Sequence, residues 1–186
     1  MRKFSPQELS AFAVRILLAV LFFAVSAIPF YGLSPKDYNY TGLLNRRPVI
    51  TVLCMGSLGL LYTWIFYREG CRIYAKKDWG RKTLLLFAMV VLVMLLPYGE
   101  KEDFFSGLHV AFAYGTLVVY GWLMSLLLVQ RKPLFTLFLM GMTLCFFLSL
   151  SAMSVTGTAE LVFSGMNALL FSFLLPLPKK ASLQEG

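Results

Sequence analysis

The chain has 186 residues, of which 59% are hydrophobic and only 14% charged, against roughly 45–50% and about 25% in an ordinary soluble domain. One core could not hide this much Leu, Phe, Val and Met, so the composition excludes a water-soluble fold and requires lipid. The formal charge of +8 would raise nucleic acid as a partner in a soluble domain, but its distribution here has a simpler reading, and no nucleic-acid partner is expected.

Six apolar runs follow one another, at residues 12–31, 49–67, 83–98, 107–129, 133–151 and 159–177. A helix needs about 20 apolar residues to cross roughly 30 Å of hydrocarbon, so the pattern predicts an all-α, polytopic membrane protein. Its six spans would form a single transmembrane domain over residues 1–186 with short loops. The first run follows Ser5-Pro6-Gln7-Glu8, a capping box with Pro at the first helical position. Ala24-Val25-Ser26 has the small-x-small form of a signal-peptide cleavage site, yet the long apolar stretch favours a retained span. The third run is the shortest, with Arg81 and Lys82 placed to snorkel at one end and Tyr98 at headgroup level at the other.

Cytoplasmic segments of membrane proteins retain Lys and Arg. Arg2, Lys3, Arg68, Arg72, Lys76, Lys77, Arg81, Lys82, Arg131, Lys132, Lys179 and Lys180 fall on one side, against Lys36, Arg46, Arg47 and Lys101 on the other, a ratio of twelve to four. Both termini are therefore expected in the cytoplasm. Arg15 lies inside the first run, close enough to its cytoplasmic end to snorkel. A bacterial cytoplasmic membrane is the preferred location, with a eukaryotic endomembrane as the alternative.

Cys54, Cys71 and Cys145 are an odd number without a close pair, and His109 is the only histidine. No metal, redox centre or cofactor is expected from that set. Cys71 falls in a predicted cytoplasmic loop, and the other two lie inside spans as small apolar residues. No Walker loop, serine elbow, paired-His zinc motif or dinucleotide fingerprint is present.

Ionisable and polar groups at membrane depth are costly and mark cavities, partners or substrate paths. Asp103, Ser106 and His109 open the fourth span at three-residue steps that share a helical face, continued inward by Ala113, Thr116 and Tyr120. Glu160, Ser164, Asn167 and Phe171 follow at helical spacing in the sixth. Both stretches begin on the outer side. Two positive helix ends would then converge on one mouth, each suited to an anionic group from the protein or a lipid phosphate. Simpler roles stand beside this one: Asp103 as an N-cap, Glu160 as a first-turn acid, His109 as a packing residue and Asn167 as interhelical glue. A second candidate surface is the basic segment of Arg68, Arg72, Lys76, Lys77, Arg81 and Lys82, interleaved with Ile73, Tyr74 and Trp79. It could hold anionic headgroups or act only as a topology determinant. Tyr31, Tyr38, Tyr40, Tyr98, Phe104 and Phe105 form an expected outer aromatic belt, and Asn39-Tyr40-Thr41 matches the glycosylation sequon.

A short third span ending in Pro97, an acidic loop, Ser106-Gly107-Leu108-His109-Val110-Ala111-Phe112-Ala113 and Thr156-Gly157-Thr158-Ala159-Glu160-Leu161-Val162-Phe163 together resemble the six-helix superfamily of the damage-regulated autophagy modulators and their bacterial relatives. In those families a His followed by small residues opens the fourth span and a Glu followed by aromatics the sixth, which maps onto His109 and Glu160. The resemblance implies a role in lipid handling and carries over no reaction mechanism. Membrane lipids are the expected partners, with a homo-oligomer or another membrane protein also open. Two function classes remain ahead of a small-solute transporter. The first is lipid handling or membrane organisation, with a headgroup held in an outer-leaflet polar cavity. The second is an intramembrane lipid-modifying enzyme, with His109 as acid or base, Asp103 or Glu160 orienting it, and Ser106 a candidate nucleophile.

Overall fold

The computed structural model describes residues 6–96, 104–152 and 155–176. Among them the elements are all helical: α1 (Pro6–Ala27), α2 (Tyr40–Arg46), α3 (Pro48–Ile73), α4 (Lys76–Leu95), α5 (Phe104–Leu128), α6 (Lys132–Ser151) and α7 (Gly157–Leu174), with a 3-10 turn at Ile28–Phe30. Five of the seven, namely α1 with its turn, α3, α5, α6 and α7, are long and apolar enough to cross a membrane. Helix α4 is the counterpart of the third predicted span. It opens with Lys76, Lys77, Asp78, Arg81 and Lys82 and is apolar only from Thr83 onward.

Most helices outrun the apolar segments that predicted them. Helix α1 starts at Pro6 rather than residue 12, and it gives way to the 3-10 turn before Pro29, which has no N–H to continue the ladder. Helix α3 continues past residue 67 to Ile73, and α4 starts at Lys76 rather than residue 83. Hydropathy reports what lipid touches, whereas the helical hydrogen-bond ladder runs on into the interface. Arg68 and Arg72 thus sit in the last turns of α3, where the carbonyl end of the helix dipole favours cations. The predicted basic loop is two helix ends joined at Tyr74 and Ala75, and Cys71 belongs to α3 rather than to a loop.

Helix α2 has no counterpart among the predicted spans. The chain leaves the 3-10 turn through Gly32, whose φ of +70° suits a residue without Cβ. It enters α2 at Asn39, whose side chain accepts from Gly42 N at 2.8 Å.

The long helices alternate in direction. Arg15 near the start of α1 meets the end of α7, Tyr74 Oη donates to Leu126 O at the end of α5, and the end of α4 meets His109 near the start of α5. The bundle therefore has a basic end, carrying the α3–α4 and α5–α6 turns, and an α2 end. Helix α7 is central, flanked by α1 and α6; α3 leans on α1 and α7, α4 on α3, and α5 on α4. Of α7's most apolar stretch 56% is buried against protein, compared with 6% for α6, so α7 is the packing axis and α6 a peripheral helix. Gly141 lets the two approach, since a Cβ there would lie 2.4 Å from Met166 Sδ.

The main core fills the basic end, where Ile65, Phe66, Trp79, Leu123, Leu127, Phe138, Leu170 and Leu174 pack together. Trp79 is fully buried over Gly70, where an added Cβ would fall 1.8 Å from the indole. Its Nε1 donates to Phe66 O at 3.1 Å, and its ring stacks on Tyr74 at 5.0 Å. Below this core Glu69 is buried between two guanidiniums, with Arg72 at 2.9 Å and Arg131 at 2.7 Å. Arg15 lies between α1 and the end of α7. Its Nη1 reaches the carbonyls of Ser172, Phe173 and Leu175 at 2.7, 2.6 and 3.1 Å, carbonyls that a helix end leaves without partners.

Candidate functional site

Toward the α2 end α3, α4, α5 and α7 enclose a cavity of about 580 Å3. Its α3–α4 wall is mainly apolar, with Met55, Leu58, Leu86, Val90 and Met94 outnumbering Thr51, Thr63 and Thr83, and Gly56 and Gly59 leave room in it. The facing wall is a polar seam of His109, Thr116 and Tyr120 from α5 and Glu160, Ser164 and Asn167 from α7. Tyr40, Thr41 and Leu44 of α2 form the roof. The floor is Tyr62, Phe66 and Phe171, with Tyr62 stacked on Phe171 at 4.3 Å.

The helical spacing that put His109, Thr116 and Tyr120 on one face of α5 also faces them to the cavity. His109 is buried, with Nδ1 3.1 Å from Leu96 O beyond the end of α4. Thr116 Oγ1 donates to Phe112 O one turn back, at 2.7 Å. Tyr120 Oη donates to Asn167 Oδ1 and so ties α5 to α7 across the seam. Ser106 is buried one turn before His109 but takes no part in the cavity wall. Asp103 lies outside the described residues.

Glu160 and Ser164 are held by a residue that the sequence analysis placed in the outer aromatic belt. Tyr40 is half-buried as part of the roof. Its N–H, at the start of α2, donates to Glu160 Oε2 at 2.5 Å. Its hydroxyl donates to Ser26 O at 2.9 Å and pairs with Ser164 Oγ at 3.1 Å. Burial pushes the phenol above its ordinary value while its hydrogen bonds toward Ser164 and Ser26 pull the other way, so Tyr40 stays a neutral hydroxyl. Glu160 thereby caps α2 from another helix, taking the first N–H while Asn39 takes the third.

The start of α7 is not an open anion site. Thr156 caps it by accepting from Ala159 N at 3.3 Å, and Thr158 N donates to Pro35 O at 3.0 Å. The loop presses so closely that a Cβ at Gly157 would meet Tyr38 O at 2.0 Å. Of the two positive helix ends expected at one mouth, the α7 end is thus taken up by the loop carbonyl of Pro35, and the residues leading into α5 lie outside the described residues. Asn39 of the sequon is also engaged, accepting from Gly42 N through Oδ1 and donating to Val155 O through Nδ2 at 3.2 Å.

The basic candidates lie at the opposite end. Arg68, Arg72, Lys76, Lys77 and Arg81 are exposed there. Lys82 is half-buried, and its ammonium lies 5.8–5.9 Å from the rings of Tyr74, Trp79 and Trp122, a cation–π setting. Cys54, Cys71 and Cys145 are free thiols. Among the described residues no three of His, Cys, Asp and Glu gather as a metal site, and every buried side-chain nitrogen and oxygen has a hydrogen-bond partner.

Sequence reasoning missed Tyr40, Tyr62 and Glu69. Glu69 left a signal, since it stands four residues after Ile65 and three after Phe66 on the apolar stripe of α3. Tyr40 left none, because its burial depends on a loop folding back over α7. No family model, curated protein or solved structure matches the chain.

Proposed function

We propose that this chain is an integral membrane protein of lipid handling, with six spans, both termini cytoplasmic and α4 as the short third span. Its cavity holds an amphipathic lipid in the outer leaflet. The observation that carries this reading is the two-sided lining, with mainly aliphatic α3–α4 residues facing a seam of hydroxyl, amide, imidazole and carboxylate groups. Acyl chains suit the first wall and a headgroup the second. The twelve-to-four distribution of cations and the resemblance to the six-helix superfamily support the same reading.

The intramembrane-enzyme alternative has less support. Glu160 spends a carboxylate oxygen on the Tyr40 amide, and His109 engages a backbone carbonyl. These contacts anchor the two side chains to the fold rather than align them for proton transfer. Binding without chemistry needs nothing further.

Two experiments test the proposal. Lipid extracted from detergent-purified protein should be retained in a fixed ratio to the chain. His109→Ala and Glu160→Gln should lower that ratio while thermal unfolding stays cooperative. Unchanged retention in folded variants would overturn the headgroup site. For orientation, a cysteine replacing Lys36 should label from outside intact cells and one replacing Lys77 only after permeabilisation. The reverse pattern would remove the outer-leaflet assignment.

A further inference from the structure

A second depression, of about 380 Å3, lies between α3 and α4 on the outer face of the bundle. Leu60, Thr63, Thr83 and Phe87 separate it from the internal cavity, since they line both. Its own residues are Trp64, Tyr67, Gly80 and Leu84, of which Trp64 and Leu84 are exposed. Successive turns of the two helices bring the groove to the basic end, where Arg68 lies over Trp64 at 5.4 Å and Arg81 adjoins Gly80 in sequence.

The cations around this groove have no ion-pair partner among the described residues. The ion pairs found there are those of Arg72 and Arg131 with Glu69, and neither involves Arg68, Lys76, Lys77 or Arg81. Lys76 and Lys77 also stand in the first turn of α4, whose N-cap Ala75 contributes no side-chain hydrogen bond. Cations there oppose the helix dipole, and the same turn sets only Asp78 against them. An anionic partner would offset that repulsion.

We propose that the α3–α4 groove binds an anionic phospholipid, one acyl chain lying along Trp64 and Leu84 and the headgroup between Arg68 and Arg81, with Lys76 and Lys77 beyond. This site lies on the far side of the wall it shares with the cavity, uses none of the cavity's polar seam and holds in whichever leaflet the basic end lies. Charge complementarity at one end of an apolar groove specifies the occupant as a lipid with a negatively charged headgroup.

The test titrates the full chain in detergent with phosphatidylglycerol or phosphatidylcholine of identical acyl chains, counting bound lipids by native mass spectrometry. Phosphatidylglycerol should bind in preference, and the double variant Arg68→Gln/Arg81→Gln should weaken it about 30-fold, at about fivefold per cation. Brominated-chain phosphatidylglycerol should quench parent fluorescence more than that of Trp64→Phe. Gly80→Leu, which fills the groove, should bring the quenching down to the Trp64→Phe level; should it not fold, Leu84→Trp serves the same end by native mass spectrometry. Equal binding of the two lipids, or undiminished phosphatidylglycerol binding in the double variant, overturns the proposal. Retention of lipid by the cavity should stay unchanged in these variants, so the two sites fail separately.

Discussion

Helix α3 carries glycines at both ends of its path through the bundle, and their surroundings are opposite. At Gly70 an added Cβ would run into the indole of Trp79 at 1.8 Å, whereas at Gly56 and Gly59 it would meet nothing within 4 Å. One glycine admits a partner and the other two keep space empty. The contrast extends to the whole molecule. The basic end is filled by Trp79 and its aliphatic neighbours and tied by Glu69, while the α2 end encloses a cavity whose polar groups bond mainly to one another and to backbone. A protein needing only a stable bundle would pack both ends alike, because a void forfeits dispersion contacts along its lining. The asymmetry separates a part that holds the helices together from a part kept open for something else.

The sharpest way to break this comparison is at the packed end. Trp79→Ala removes the largest side chain of that core and should cost about 3–5 kcal/mol, read as a large fall in thermal midpoint in detergent. Gly70→Ala should destabilise in the same direction by forcing the indole out of place. Survival of either variant at the parent midpoint would mean that the basic end does not carry the fold.

Glu69→Gln comes next, with an expected loss of about 2–3 kcal/mol. That is less than the roughly 3–5 kcal/mol for a fully enclosed pair, because the Arg72 side chain is 62% exposed and can turn to water. Adding Arg131→Gln should recover part of the loss, and a double-mutant cycle with no coupling would count against the pair.

At the hollow end Tyr120→Phe strips Asn167 Oδ1 of its donor and should cost about 1 kcal/mol. Lipid retention should fall by more than the small shift in midpoint accounts for. Gly59→Leu is the decisive complement. It should leave stability unchanged or raise it by up to about 1 kcal/mol, since glycine is a poor helix former, while the cavity loses its lipid. A destabilised Gly59→Leu protein would mean the space is an imperfectly filled core rather than a site.

The smallest effect is expected from replacing Cys54, Cys71 and Cys145 together with Ser or Ala, within about 1 kcal/mol. A monodisperse, folded triple variant checks this, and its loss would reveal a structural role for a thiol.

Legibility in the sequence followed the range of the forces involved. The polar stripes through Thr116 and Tyr120 and through Ser164 and Asn167 could be read because helical periodicity fixes which residues share a face. The structure brings both stripes to one cavity. What they bond to could not be read in the same way. Tyr40 N–H meets Glu160 across 120 positions, and Arg15 meets the α7 carbonyls across more than 150. The sequence places Arg15 near one end of its span, but nothing local names the α7 carbonyls as its partners.

By itself, then, the sequence determined that the chain is helical and rich in membrane-length apolar segments, because lipid solubility and backbone satisfaction are local requirements that each segment meets alone. It also determined which polar residues share a face, because that is fixed by about 100° of rotation per residue. The tertiary structure decided that α7 is the axis, that the ends differ in packing, that α2 and its loop close over Glu160, and that Trp79 serves the hairpin rather than a headgroup. Each of these depends on which faces meet across distant turns, and that follows from packing shape and hydrogen-bond partners that no window along the chain contains.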